Sequence, residues 1–271
     1  MIRIACSTGI CSTRSLEDAC QAIRDLGFRY VDPLAMEQWH IKPSRLVAHA
    51  TSESARVRAL FESYALRCAA VNLGFLANPT TCSEREHQTN LQVMRGACVL
   101  AETLSTEIIT VGSGTAESNP ENVARLAQRL RDVVSVAAEA GKRVALETHA
   151  GAVSVYPEVA RELLARCPGL EITYDPSHFI AERVPVEETL DLLQHAAHVH
   201  LRNARVGSFQ ERMDKGLLDM PWMVDQILAS GYNGVVSIEY IEDCGAIEEG
   251  YETRDQVLAL RQILQEKGLT I

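Results

Sequence analysis

The stretch Glu171-Ile172-Thr173-Tyr174-Asp175-Pro176-Ser177-His178 begins like a strand bound for a protein interior and ends on a carboxylate and an imidazole three residues apart. Either group is costly to bury alone. The same pattern recurs along the chain, and the recurrence decides the fold. Short β-rich runs at 2–7, 30–34, 68–74, 107–112, 143–147, 171–175, 198–202 and 235–240 alternate with amphipathic stretches at 16–26, 52–64, 84–104, 122–140, 157–166, 186–196, 221–229 and 255–266. That makes eight βα units, and several helices stop where glycine predicts, at Gly27, Gly141 and Gly231. Strands such as Val144-Ala145-Leu146 and Val235-Val236-Ser237-Ile238 are apolar or small at consecutive positions, as in a parallel sheet covered on both faces. With no Gly/Pro-rich linker between the units, the α/β chain reads as a single (β/α)8 TIM barrel, one domain over residues 1–271. An open doubly wound sheet is the alternative, but the first βα junction, Ser7-Thr8-Gly9-Ile10-Cys11-Ser12, lacks GxGxxG.

Composition narrows the function classes. The 271 residues suit one barrel, 46% hydrophobic content supplies ample core, and a formal charge of -10 leaves no general basic field for a phosphate backbone. A nucleic-acid partner is not expected. The first residues lack an apolar signal-like run, and no window approaches the roughly 18 apolar residues that span a bilayer. The expectation is a cytoplasmic protein without membrane contact. The 8 cysteines are scattered with no CxxC pair and read as buried reduced thiols. Oligomeric state is not legible, and a homo-oligomer stays open.

In such a barrel the chemistry sits where strands meet their following helices. Four successive strands end alike: Leu146-Glu147-Thr148-His149, Tyr174-Asp175-Pro176-Ser177-His178, His198-Val199-His200-Leu201-Arg202 and Ser237-Ile238-Glu239-Tyr240. Glu147, Asp175, His200 and Glu239 should converge on one rim, where three carboxylates repel unless a cation sits among them. One divalent ion resolves the conflict. Three oxygens and an imidazole suit Mn²⁺ first, with Mg²⁺, Co²⁺ and Zn²⁺ as alternatives. His178, one turn past Asp175, should face the metal or the substrate; His149 and Arg202, each two past a ligand, are further substrate-binding candidates, against the ordinary readings of a solvated histidine and a surface ion pair. His198, two before His200 on the same face, reads as a core histidine or one that props a ligand from behind.

The set "ALETHAG", "ITYDPSH", "HVHLRNA" and "VSIEY" resembles the xylose isomerase-like TIM barrels, the superfamily of sugar isomerases and epimerases, over essentially the whole chain. The resemblance implies that Glu147, Asp175, His200 and Glu239 bind one divalent metal, that Glu147 and Glu239 form the acid/base pair, and that His178 binds substrate. One departure is that Val206 stands about where the 3-epimerases carry a substrate-holding arginine.

The implied chemistry is proton abstraction next to a carbonyl through an enediolate, giving an isomerase or epimerase of a keto-sugar or polyol. A dehydratase of the inosose or dehydroshikimate type, which expels a β-hydroxyl from the same intermediate, is the alternative. A Schiff-base aldolase needs a strand-end lysine, and Lys42, Lys142, Lys215 and Lys267 are not so placed. The superfamily's apurinic endonucleases need further histidines where this chain has Asn72-Leu73-Gly74 and Val111-Gly112-Ser113. A non-catalytic sugar-binding barrel is disfavoured by the intact pair of glutamates. The acidic run Glu242, Asp243, Glu248 and Glu249 should repel a phosphate, so the expected partner is an unphosphorylated sugar or keto-acid.

Overall fold

Parallel pairing runs through every strand of the barrel in the computed structural model, which describes residues 2–271. The strands are β1 (Arg3–Ser7), β2 (Tyr30–Asp32, resumed at Leu34–Ala35), β3 (Arg67–Cys68, resumed at Val71–Leu73), β4 (Ile108–Gly112), β5 (Arg143–Glu147), β6 (Leu170–Tyr174), β7 (Ala196–Leu201) and β8 (Val235–Ile238). Each pairs with the next, and β8 returns to β1 with Val235 opposite Arg3. The ring is closed, although β2 and β3 are interrupted. Pro33 is the reason on β2, since it has no N–H to donate and a fixed φ. The ladder steps over the break: Ala69 N–H donates to Val31 O at 2.8 Å and Asn72 N–H to Pro33 O at 3.1 Å.

The helices that cover the sheet start on recognisable signals. Ser15 caps α1 (Leu16–Asp25) and Ser83 caps α3 (Glu84–Thr103), each in a reciprocal capping box with an acid three residues on. Proline opens α2 (Pro43–Ser63), α4 (Pro120–Glu139), α5 (Pro157–Arg166) and α6 (Pro176–Ala181), where its missing N–H costs nothing. α7 (Met220–Ala229) and α8 (Thr253–Glu266) complete the layer. Helix α2 is longer than the expected 52–64, because two turns from Pro43 join it across a kink at His49. It lies so close to α3 that a Cβ on Gly96 would stand 2.5 Å from Leu46 O. The expected helix at 186–196 is instead a 3-10 coil, Val186–His195. The elements beyond the sequence expectation include α6, which follows Asp175 at once, and a hairpin of Asn203–Arg205 with Ser208–Glu211 beyond β7.

Outward-facing Val31, Val111, Leu146, Ile172, Val199 and Ile238 pack with Ile23, Met94, Leu130, Leu163 and Leu260 of the helices in one continuous core. Inward-facing positions are smaller and more polar: Ala5, Thr110, Ala145, Thr173 and Ser237 are all fully buried. All eight cysteines are free, most of them buried in this core. Among the described residues no helix is long and apolar enough to cross a membrane.

Candidate active site and metal centre

Glu147 closes β5, Asp175 follows β6 as the cap of α6, His200 lies near the end of β7, and Glu239 follows β8. Parallel strands with a common register bring their ends to one rim, so these four residues meet although 92 positions separate the first from the last. Each offers a ligand atom within 4.8 Å of the others, and all four are buried. His200 Nδ1 stands 2.8 Å from Glu147 Oε1 and 3.3 Å from Glu239 Oε2. For an ion held at about 2.1 Å, adjacent ligands of an octahedron lie about 3.0 Å apart. The residues fit a divalent cation.

What stands behind these groups is as ordered as the groups themselves. His200 Nε2 donates to Asp32 Oδ2 at 3.0 Å, and the same oxygen accepts from His198 Nε2 at 2.7 Å. Asp32 thereby turns His200 Nδ1 toward the rim, the arrangement that orients metal-binding imidazoles. Asp175 Oδ1 accepts from the Ser177 N–H and hydroxyl at 2.9 and 2.6 Å, which leaves Oδ2 facing inward. Asn72 Nδ2 donates to Glu239 Oε1 at 2.9 Å. Neither Asp32 nor Asn72 was singled out from the sequence; nothing in Val31-Asp32-Pro33 reveals a partner 168 residues away.

Arg202 offsets part of the negative charge at the rim. Arg202 Nη2 lies 2.8 Å from Asp175 Oδ2 and Nη1 3.0 Å from Glu239 Oε2. Its remaining N–H groups go to the Glu239 carbonyl at 3.1 Å, Ser177 Oγ at 3.1 Å and His178 Nε2 at 2.9 Å. All five donors of the fork are spent within the protein, so the expected substrate clamp acts as a brace for two carboxylates. Burial works against a charged imidazole at His200, yet Glu239, Asp32 and Glu147 raise its pKa well above the ordinary histidine value. Burial, with His149, Arg202 and His200 adding to it, pushes His178 well below that value. His178 is a neutral acceptor for Arg202, stacked 3.9 Å from His149 and 5.0 Å from Phe209. It is fully buried and absent from the cavity lining. For the expectation that it faces the metal or the substrate, the structure places a ring nitrogen within 4.8 Å of ligand atoms of Glu147 and His149.

The cavity above the rim measures about 360 Å³. Glu147, Glu239, Asn72, His149 and Arg202 form its polar floor, while Met36, Trp39, Phe75, Leu76, Phe209 and Ile241 make an apolar wall. His149 donates Nδ1–H to Ala150 O at 2.8 Å, so its Nε2 is left as an acceptor. Phe209 comes from the unforeseen hairpin and lies 4.8 Å above the Arg202 guanidinium; Val206 sits at the exposed tip of that hairpin. The acidic run after β8 behaves differently from expectation. Glu242 accepts from Thr13 and Arg14, Asp243 from Ser12 and Trp39, and Glu249 from Arg205. These carboxylates brace loops and are not among the residues that line the cavity.

Comparison with known proteins agrees with this architecture. No curated protein sequence matches the chain significantly. Among solved structures, a D-tagatose 3-epimerase-like protein superposes with a TM-score of 0.77 at 20% identity, covering 98% of this chain and 99% of the other. The 3-keto-D-glucoside 4-epimerase of E. coli matches with a TM-score of 0.73 at 18% identity, over 97% of this chain and 100% of its own. A xylose isomerase-like TIM barrel protein of Mycobacterium smegmatis, solved in complex with magnesium, matches with 0.72 at 16% identity over 97% and 98%. At these identities the likeness carries the fold. The sequence profile of one family matches residues 20–267, and the chain belongs to that family, the xylose isomerase-like TIM barrels.

Proposed function

We propose that the protein is a divalent-metal-dependent isomerase or epimerase of a small keto-sugar or polyol, moving a proton at a carbon next to a carbonyl, with Glu147 and Glu239 as its acid/base pair. One observation carries the reading. The two glutamates come from different strand ends, line the same cavity, and meet the same imidazole nitrogen at 2.8 and 3.3 Å. Glu147, Asp175, His200 and Glu239 would hold the ion, Mn²⁺ first; when bound it supplies Lewis acidity to two neighbouring substrate oxygens.

The glutamates are not equivalent. Glu239 has Oε1 held by Asn72 and Oε2 by Arg202, whereas Glu147 has Oε1 on His200 and no hydrogen bond to Oε2. Glu147 Oε2 is therefore free to take the first proton, and the fixed Glu239 faces the other side of the resulting enediolate. Return of the proton to the opposite face gives an epimer, and return to the adjacent carbon an isomer. His149 Nε2 is placed to accept a substrate hydroxyl. Among the described residues Arg202 is the sole arginine or lysine on the cavity wall, and it has no N–H to spare, so an unphosphorylated sugar or keto-acid suits the site better than a phosphate ester. The test is solvent exchange. In D₂O the Mn²⁺-loaded protein should wash deuterium into the carbon beside the carbonyl of a suitable ketose, and Glu147→Gln should abolish this while retaining metal. Normal turnover by that variant would overturn the assignment, and accumulation of a dehydrated product would shift the protein to the lyases.

A further inference from the structure

The inside of the barrel beneath the site is built unlike a packed core. Barrel interiors are filled by layers of four side chains from alternate strands, mostly bulky and branched. Here the layer on β2, β4, β6 and β8 consists of Asp32, Thr110, Thr173 and Ser237, with core-facing Val31, Val111, Ile172 and Val236 beside them on the same strands. The pairings Ser7 with Asp32, Thr110 with Ala145, Thr173 with His198 and Ser237 with Ala5 place them at one level, given the stagger of about one residue per strand that closes an eight-stranded barrel. Below it on the inward face lie Ala5, Ala145 and His198, all fully buried. The two alanines are smaller than the branched side chains that usually fill such a layer.

All four members of the polar layer are at least 99% buried, and each has an oxygen with no hydrogen-bond partner in the protein: Asp32 Oδ1, Thr110 Oγ1, Thr173 Oγ1 and Ser237 Oγ. His198 Nδ1, just below, is unpaired as well. Buried polar groups left without partners cost about 1–3 kcal/mol each. Five of them grouped inside one barrel are not tolerable as dry contacts. Their inventory is complementary to water: Asp32 Oδ1 and His198 Nδ1 need donors, and three hydroxyls can both give and accept. A buried water is held by two to four such partners.

We infer that the barrel lumen beneath the catalytic rim binds a ring of ordered waters, held by Asp32, Thr110, Thr173, Ser237 and His198. The ring completes the shell of Asp32, whose other oxygen fixes His200, so it supports the site from below; this last step rests on the proposed metal reading, while the ring itself does not.

The experiment turns on a sign. Thr110→Val and Thr173→Val are nearly isosteric. With waters in the lumen each should strip a partner from the ring and lower Tm by about 2–4 °C. In a dry layer the same change trades an unpaired hydroxyl for a methyl and raises Tm. Ser54→Ala is the control, since the Ser54 hydroxyl is buried and unpaired outside the barrel interior and should be neutral or stabilising when removed. A crystal structure of the wild type should show water within hydrogen-bond reach of Asp32 Oδ1. A rise in Tm for both valine variants, or a dry Asp32 Oδ1, would overturn the ring. Titration with Mn²⁺ alone should find Asp32→Asn weaker by about 10–100-fold. Undiminished affinity removes the support role, and a wild type that binds no Mn²⁺ counts against the metal reading while the Tm comparison still decides the ring.

Discussion

The two halves of the barrel share a backbone plan and differ in what they put at the rim. Strands β1–β4 end in Ser7, Leu34–Ala35, Val71–Leu73 and Gly112, whereas β5–β8 lead into Glu147, Asp175, His200 with Arg202, and Glu239. The second half carries the charge. The first half holds it in place, through Asp32 beneath His200 and Asn72 beside Glu239, and supplies much of the apolar wall through Met36, Trp39, Phe75 and Leu76. The contrast teaches that a rim of acids is workable when its geometry is set from the opposite side of the ring.

The largest effect should come from the acidic half, if Glu147 and Glu239 act as the proposed acid/base pair. Glu147→Gln and Glu239→Gln should each lower kcat by about 10²–10⁴ while metal analysis still finds the ion, because the amide keeps a ligating oxygen and loses the proton. Next comes Arg202→Met. It leaves Asp175 and Glu239 buried without their cation, and losing one partner of such a pair costs about 3–5 kcal/mol, to be read from denaturant unfolding. Turning to the supporting half, Asn72→Ala removes one hydrogen bond to a charged oxygen, worth about 1.5–3 kcal/mol. If Asn72 orients Glu239, that loss should fall on kcat and leave KM little changed. The smallest effect belongs to the acidic loop. Glu242→Gln touches only Thr13 and Arg14, so stability should move by less than about 1 kcal/mol and a phosphorylated ketose should gain nothing.

The convergence of Glu147, Asp175, His200 and Glu239 was legible in the sequence, because strand ends can be found from periodicity and acids at strand ends stand out. The supporting half was not. Asp32 sits in an ordinary strand, and its meaning depends on ring closure that no local pattern encodes. Arg202 was visible as a basic residue on the right face, yet the direction of its five donors follows from the positions of Asp175, Ser177 and His178, which α6 sets. Phe209 lay in a stretch with weak strand signal, Ser208–Glu211, that pairs only because Gly207 turns the chain with φ +79°. The acidic loop misled for the opposite reason: its charges are conspicuous in one dimension, while their partners lie up to 231 positions away.

The closing of the ring has a kinetic side. Strands β5–β8 occupy one contiguous run of chain and can gather their ionic side chains through neighbouring pairings, whereas Asp32 reaches His198 and His200 across 166 and 168 positions. Contacts at such separation cost more loop-closure entropy than those between neighbouring strands. In refolding, protection of the β7 backbone around His198 and His200 is therefore expected to lag the pairing of β5–β8, which pulse-labelled hydrogen exchange would read. The moment at which His200 acquires its Asp32 contact is a natural clock for completion of the barrel.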